Sequence, residues 1–416
     1  MAQAIFDQTA AEAMLKQMYD LPAMVDLSYS DRPFFALVNK RGGEGGNSVK
    51  IPLAIATSQG FAPTVAIAQS ILAAQDLKAF LVTNRVLLSV ARIDGLTLES
   101  SMSSKQSFAK GAKMLVDSAV KRLANAVSSG LFRDGVGTVA TISTIGVVGA
   151  GIIELTDAAD SVQFEVGMTL QALSAGGALE TGYGIVLSVN RSLGRITVAA
   201  GASLPVTSTT PATPTGWSAG DRLLAAGTKD LQVSGLSAWL TDDAVALAAP
   251  YYGVVRSSDT TRLGGIVYDG STLSVKDAIV NAINLVAREG GKPDYVFLNF
   301  DSYTQLSQDL QSNVVYTTLE GPGKVSFGGF VFQSPKGPVQ VVPDRDAEPK
   351  RAYLLQLDAW SLVHANDGEP IFLDDNGVGQ VLRTIESYDG REVRVKFYGN
   401  LACNAPGYNA KVKLSA

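Results

Sequence analysis

The sequence predicts an α+β fold built from several parts strung along one chain, and three observations carry that prediction. A β-rich stretch over 41–97 has too few large side chains to form a core of its own. A long helical period follows over 101–131. After residue 138 the pattern changes to short β-branched runs punctuated by glycine. The parts expected from this order are a leading arm (1–40), a long β-hairpin loop (41–97), a segment with a long spine helix (98–137), an inserted small all-β domain (138–235), an α/β layered region with its connections (236–379), and C-terminal strands returning to the spine helix (380–416).

In the leading arm, a helical pattern over 10–19 stops at Pro22, and the turn Ser30-Asp31-Arg32-Pro33 leads into the apolar run 34–38. Glycines 42, 43, 45 and 46 then open the loop. Strands are expected at 49–55 and 80–90, with a small-residue tip between them over 58–75 that is expected to be ordered only by a partner. On the spine helix, Phe108, Ala112, Leu115, Ala119, Leu123 and Ala126 keep a one-face spacing, away from Lys105, Lys110, Lys113, Asp117, Lys121 and Arg122.

Within 138–235 the run 185–189, the turn Asn190-Arg191-Ser192-Leu193-Gly194 and the run 195–198 read as a hairpin. Later, Val275, Ala278, Ile279, Ala282, Ile283 and Val286 form an apolar helical stripe closed by Gly290-Gly291. A buried strand is expected at 293–298, a helix at 302–310, and short strands at 325–332, 339–342, 352–357 and 361–364. Residues 380–386 and 393–398 form a hairpin around Asp389-Gly390, and a last strand covers 411–414.

Composition narrows the function classes. The chain is 46% hydrophobic and 18% charged, which is globular composition. Mean hydropathy is +0.16, yet no apolar run is long enough to span a membrane, so extensive subunit contacts are one way to bury the excess. The first nineteen residues lack a signal-peptide pattern, and one cysteine, Cys403, rules out an internal disulfide framework. Both features fit a protein kept in a reducing cytoplasm. Cys403 reads as a small buried hydrophobe.

The net charge of −5 argues against a surface that grips nucleic acid over its whole extent. Between 39 and 97, however, Lys40, Arg41, Lys50, Lys78, Arg85 and Arg92 outnumber Glu44, Asp76 and Asp94, so this stretch carries +3 and the remainder −8. A basic arm on an acidic body is the pattern expected when the arm docks on a neighbouring body of the same kind.

Catalytic motifs fail on context. Gly216-Trp217-Ser218-Ala219-Gly220 matches G-x-S-x-G, with His364, the only histidine, downstream. A nucleophile elbow needs a strand before and a helix after, whereas a Pro/Thr-rich loop precedes this motif and a strand-like run follows it. An esterase using Ser218 and His364 is kept as the enzymatic alternative. Gly135-Val136-Gly137-Thr138-Val139-Ala140 follows a helix rather than a strand and reads as a helix stop, and no P-loop pattern occurs.

One histidine and one distant cysteine cannot build a transition-metal site. The pairs Asp242-Asp243 and Asp374-Asp375 read as turns or caps, Glu154 and Glu165 as a solvated face, and Asp344-Arg345-Asp346 as a charged loop. The aromatics Tyr251-Tyr252 and Phe34-Phe35 read as core or interface. No cofactor, metal or catalytic residue is expected.

In element order the chain resembles the major capsid proteins of tailed bacteriophages, a fold shared with encapsulins and herpesvirus shell floors. The residues carrying the resemblance are the glycine-flanked loop 41–97 running into the spine helix after Arg92-Ile93-Asp94-Gly95, then Tyr252-Gly253-Val254-Val255-Arg256-Ser257, Pro293-Asp294, and Asn404-Ala405-Pro406-Gly407. The resemblance implies a non-enzymatic subunit that assembles as hexamers and pentamers into an icosahedral shell around double-stranded DNA, located in the virion and assembled in the host cytoplasm. It also implies a portal, and it makes 1–40 the N-arm, 41–97 the extended loop, 98–137 with the strands of 380–416 the peripheral domain, and 236–379 the axial domain with its connections. Relatives with an internal scaffold carry a long segment ahead of the arm, so a separate scaffolding protein or an already trimmed chain is implied, Met1 favouring the former.

Contact with the genome would be weak and non-specific, and no membrane is involved. Lys50, Lys78, Arg85 and Arg92 are the expected inter-subunit contacts. Some relatives crosslink a loop lysine to an asparagine, for which Lys78 with Asn400 or Asn404 would be the pair here. The alternative within the same fold is an encapsulin-type compartment enclosing proteins.

Overall fold

A computed structural model describes residues 28–29, 31–43, 46–54, 60–71, 77–94, 105–146, 149–310, 315–320, 326–334, 336–366, 368–374, 383–384 and 389–415. The helix expected over 10–19 lies outside these residues, as does most of the strand expected over 380–386. Three sheets and one hairpin organise the chain.

The first sheet is centred on the fourteen-residue strand Gly390–Cys403. One edge of this strand pairs antiparallel with Arg85–Asp94 along its first ten residues. Its other edge takes Arg383–Thr384, Ile371–Leu373 and Trp360–His364 in turn. Asn39–Arg41 adds a parallel strand beyond Trp360–His364. The spine helix Lys105–Phe132 packs on Arg85–Asp94 and Gly390–Cys403. At 1.5 Å per residue it is about 42 Å long.

Its buried face is Val116, Ala119, Val120, Leu123, Ala124, Val127 and Leu131. Of the expected stripe, Ala119 and Leu123 are buried, Ala126 is half-buried, and the side chains of Phe108 and Ala112 lie outside the described residues; Leu115 is exposed, and Val116 is fully buried instead. Three valines four to seven residues apart, at 116, 120 and 127, set the phase that the alanine-rich pattern leaves open. Beyond Phe132 the chain turns through Gly135 and Gly137, both with positive φ. A Cβ on Gly137 would meet the Thr228 carbonyl oxygen at 2.9 Å, so this G-x-G is a tight helix stop, as its context predicts.

Residues 138–225 contain six strands that close into a barrel in the order Arg222–Ala225, Thr138–Ile145, Ile152–Leu155, Arg195–Gly201, Tyr183–Asn190, Thr169–Leu173. Ile142, Ile153, Phe164, Leu170, Ile196, Val198 and Leu223 fill it. Closure removes the exposed strand edges that so small a sheet would otherwise present.

The third sheet has seven strands in the order Ile266–Asp269, Ala410–Lys413, Arg351–Leu355, Tyr295–Leu298, Gly337–Pro343, Ser326–Ser334, Val315–Glu320. The helix Val275–Arg288, capped where Ser274 Oγ accepts the Asp277 N–H at 3.1 Å, buries all six residues of its expected stripe. Together with Phe300–Leu310 it shares a core with Val296, Leu298, Ala352, Leu354, Ala410 and Val412. The alternate residues Phe297, Tyr353 and Leu355 point to the core beneath the first sheet. Period-two alternation thus places this sheet between two cores.

Two sequence assignments need correction. The strand Ala410–Lys413 does not complete the peripheral sheet; it lies in the seven-stranded sheet between Ile266–Asp269 and Arg351–Leu355. Conversely, Trp360–His364 and Ile371–Leu373, assigned to the axial region, join Gly390–Cys403. Such pairings are non-local, so hydrophobic runs locate the strands without saying which sheet they enter.

Candidate assembly surface

The loop hairpin consists of Ser48–Ala54 and Leu77–Thr83, paired Val49↔Val82 and Ile51↔Phe80. These four side chains are buried in the main core of the body, so the loop stem borrows a core rather than forming one. Phe80 meets the Trp239 ring edge-on at 5.0 Å, and Tyr251 meets the same indole at 5.1 Å. Trp239 Nε1 donates to the Leu401 carbonyl at 3.1 Å, and Leu81 N–H donates to the Tyr252 carbonyl at 2.9 Å. The hairpin base is therefore fixed to the body by aromatic packing and backbone hydrogen bonds.

At Asn84 the second stem ends. The sequence reads one continuous strand here, but Asn84 N–H turns back to the Asn47 carbonyl at 2.9 Å, and Arg85–Asp94 begins a new strand in another sheet. This strand is apolar on both faces. Leu87 and Ala91 point to the core, while Val86, Leu88 and Val90 are 56%, 55% and 47% exposed. Across from them stand Tyr398, Lys396 and Arg394 of Gly390–Cys403, all partly exposed. Lys396 is held by Asp374 at 2.8 Å. The stripe adds to the edge of the open face rather than to any core among the described residues.

At the tip, the six-residue helix Val65–Ser70 buries none of its side chains. Phe61, Val65, Ile67 and Ile71 are all well exposed, Phe61 at 93%. The tip therefore carries four large apolar groups that stand exposed among the described residues.

The four basic residues expected at contacts stand in different settings. Lys50 is exposed on the outer face of the hairpin, opposite Leu81. Lys78 Nζ lies 3.4 Å from Ser258 Oγ. Arg85 is half-buried at the start of its strand, opposite Gly399. Arg92 lies 3.9 Å from Glu392 of the same chain. Lys40, counted in the arm's positive charge, is spent internally: its Nζ donates to the Ala36 and Val38 carbonyls at 2.6 and 3.2 Å and sits 4.4 Å from the Tyr29 ring centroid. Burial lowers its pKa to about 8.

The segment just ahead of the loop is anchored by a buried acid pair that sequence reading took for a charged surface loop. Asp344 and Asp346 are fully buried. Asp344 accepts the Phe34 N–H at 3.1 Å and the Asp346 N–H at 2.9 Å, and Asp346 accepts from Gln163 Nε2 at 3.0 Å. Beside them, Arg32 and Arg345 both donate to Asn125 Oδ1 of the spine helix, at 2.6 and 2.7 Å. Burial and the neighbouring Asp346 raise the Asp344 pKa to about 7. Leading segment, spine helix, barrel and seven-stranded sheet thus meet at one polar cluster. Its only sequence signal was the D-R-D pattern, which carries no information about burial.

The candidates for chemistry are placed apart. Ser218 lies in the barrel, where its N–H and hydroxyl both donate to Asp221 Oδ2, at 2.7 and 3.1 Å. His364 ends a strand of the first sheet and is buried, which lowers its pKa. Asn400, offered as a crosslink acceptor, is fully buried with Nδ2 donating to Thr83 O and Tyr252 OH and Oδ1 accepting from Ser234 N–H, so its amide is committed. Asn404 is exposed. Glu154 lies at the barrel surface but is paired there: it accepts from Thr144 Oγ1 and Arg195 Nε, each at 2.6 Å, and its pKa is lowered by these bonds.

Asp243 caps the helix Ala244–Ala248 through the Val245 N–H at 3.0 Å, the role its spacing predicts. Cys403 is buried, which pushes its thiol pKa well up. Among the described residues no group of His, Cys, Asp and Glu could hold a metal, and no helix is long and apolar enough to cross a membrane.

A family model described as SU10 major capsid protein matches residues 219–377. No curated protein matches the chain in sequence. Among solved structures, the capsid asymmetric unit of cyanophage A-1(L) is similar over 92% of this chain and 92% of its own, at 10% identity and a TM-score of 0.51. A structure from Mycobacterium phage Ogopogo is similar over 93% of this chain and 93% of its own at 12% identity with a TM-score of 0.42. The holo-SrpI encapsulin complex of Synechococcus elongatus covers 96% of this chain and 94% of its own at 7% identity with a TM-score of 0.44.

Proposed function

We propose that this chain, a major capsid protein with the fold of tailed-phage shells, closes with copies of itself into an icosahedral shell of hexamers and pentamers around double-stranded DNA, with its loop lying across an adjacent copy. The observation that carries the loop's role is the uncovered apolar surface at its two ends. Val86, Leu88 and Val90 line the root, and Phe61, Val65, Ile67 and Ile71 stand at the tip, joined by a hairpin whose base is rigidly seated. Covering such groups on a second copy supplies association energy of roughly 25 cal/mol per Å² of apolar surface, repeated at every contact in the shell.

Lys50, Lys78, Arg85 and Arg92 are assigned to contacts with acidic surfaces of neighbours. Lys50 is the foremost of these, since it is exposed on the outer hairpin face. The acidic balance of the remaining chain, −7 against +2 for the loop 41–97, supports both this docking and a weak, non-specific contact with the packaged genome. A separate scaffolding protein and a portal complete the assembly, which takes place in the host cytoplasm.

Deleting residues 60–71 tests the reading. The variant should keep the melting temperature of the parent, because these residues contribute no buried side chain, and should fail to form particles. Particles of normal size from the deletion variant would remove the loop from the role of connector.

A further inference from the structure

Lys411 sits in the middle of the strand Ala410–Lys413 and is only 6% exposed. Its ammonium makes no hydrogen bond and no ion pair among the described residues. It lines a cleft of about 490 Å³ between the seven-stranded sheet and the segment that runs from Ser237 to Tyr251. Every other charged group of the cleft is committed. Arg351 Nε pairs with Glu348 at 2.7 Å, and Glu348 also accepts from Ser237 Oγ at 3.1 Å. The Arg256 guanidinium donates to the Ala238 and Trp239 carbonyls at 2.8 and 3.2 Å and lies 4.2 Å from the Tyr251 ring centroid. Asp243 caps its helix, and Asp134 Oδ1 accepts the Val136 N–H at 3.0 Å.

A buried ammonium with no carboxylate at ion-pair distance is costly, and burial together with the neighbouring Arg351 lowers the Lys411 pKa to about 8 against the weaker pull of Glu348 and Asp242. The ammonium thus lines a concave space with no protein acceptor at hydrogen-bond distance among the described residues. The walls say what kind of anion fits. Ala246, Ala249, Pro250 and Tyr251 form an apolar side suited to an aliphatic chain. Asp134, Asp243 and Glu348 also line the cleft, and three carboxylates around one free cation disfavour a dianion such as phosphate more than a single carboxylate. The volume lies within the range of small-molecule sites.

We propose that this cleft binds a short aliphatic carboxylate, with Lys411 Nζ as its ion-pair partner and the Ala246–Pro250 side holding its hydrocarbon tail. The inference stands independently of shell assembly, since it needs only the folded subunit.

Thermal melting of the full chain at constant ionic strength tests it, with sodium butyrate, sodium phosphate and sodium chloride as probes. Butyrate should raise the melting temperature saturably, by about 2 °C at ten times its dissociation constant, while phosphate and chloride should not. Lys411→Gln should abolish the butyrate effect. Ala249→Leu, which fills the exposed wall of the cleft without touching the sheet, should weaken butyrate at least tenfold and keeps the test valid should Lys411→Gln fail to fold. Equal effects of butyrate and chloride, an effect of phosphate as large as that of butyrate, or a butyrate effect retained in either variant would overturn the assignment.

Discussion

Arg92 faces Glu392 across its own strand pair, with Nε 3.9 Å from the carboxylate. The Arg92 side chain is 68% exposed, so the pair is screened and contributes at most about 1 kcal/mol. Arg92→Ala is expected to lower the unfolding free energy by less than about 1 kcal/mol in urea titrations. Lys50→Glu, at an exposed position on the hairpin, is expected to leave stability unchanged and to weaken assembly more at low salt than at high, as read by light scattering. A salt profile unaltered by Lys50→Glu would remove electrostatics from the docking of the loop.

Phe80 ties the hairpin base to Trp239 and Tyr251. Phe80→Ala leaves a cavity in the main core and should cost about 3–5 kcal/mol by equilibrium denaturation. Leu81→Ala, at a side chain 42% exposed on the opposite face, should cost far less. Equal losses at the two positions would mean that the stem is not seated as described.

Asp344 links pH to the polar cluster under the leading segment. Its carboxyl has a pKa of about 7 in the folded chain against 3.8 for the free group, so between these values the native state holds a proton that the unfolded state has released. Stability therefore falls as pH rises through that window. The charged groups that face this carboxyl are Asp346 and Arg345 of its own loop and Arg32 of the leading segment; the spine helix and barrel contribute the neutral Asn125 and Gln163. Asp344→Asn keeps an acceptor for the Phe34 N–H and should flatten this part of the pH profile, measured as the denaturation midpoint at pH 5 and pH 8. A wild-type slope retained in the variant would place the titration elsewhere.

Lys411 has the opposite sign. Its pKa is about 8 in the folded chain against 10.5 free, so the unfolded chain binds more protons between these values. Stability should rise with pH across this range, and Lys411→Met should raise the midpoint at pH 7 and remove the rise. A lower midpoint for Lys411→Met at pH 7 would mean that the ammonium has a stabilising partner.

Much of the fold was legible because it is written locally. The stripe from Val275 to Val286 matched the buried face of its helix residue for residue, and the hairpin around Asn190-Arg191-Ser192 followed from its turn. The helix phase around Leu115 and Val116 was not legible, since adjacent apolar residues 100° apart offer two stripes and only packing chooses between them. Sheet membership of Ala410–Lys413 and Trp360–His364 depends on partners more than thirty residues away. Of the assembly surface, the sequence marked the loop and its charge. It left unseen the outward stripe Val86, Leu88 and Val90, although apolar residues at both parities of one strand were the available signal.

Electron microscopy of the purified full-length chain in negative stain bears most directly on the central claim. The account predicts closed particles of uniform size, with particle yield lost on deletion of residues 60–71. A chain that remains dispersed subunits at every concentration and salt tested, or forms only open aggregates, would contradict it.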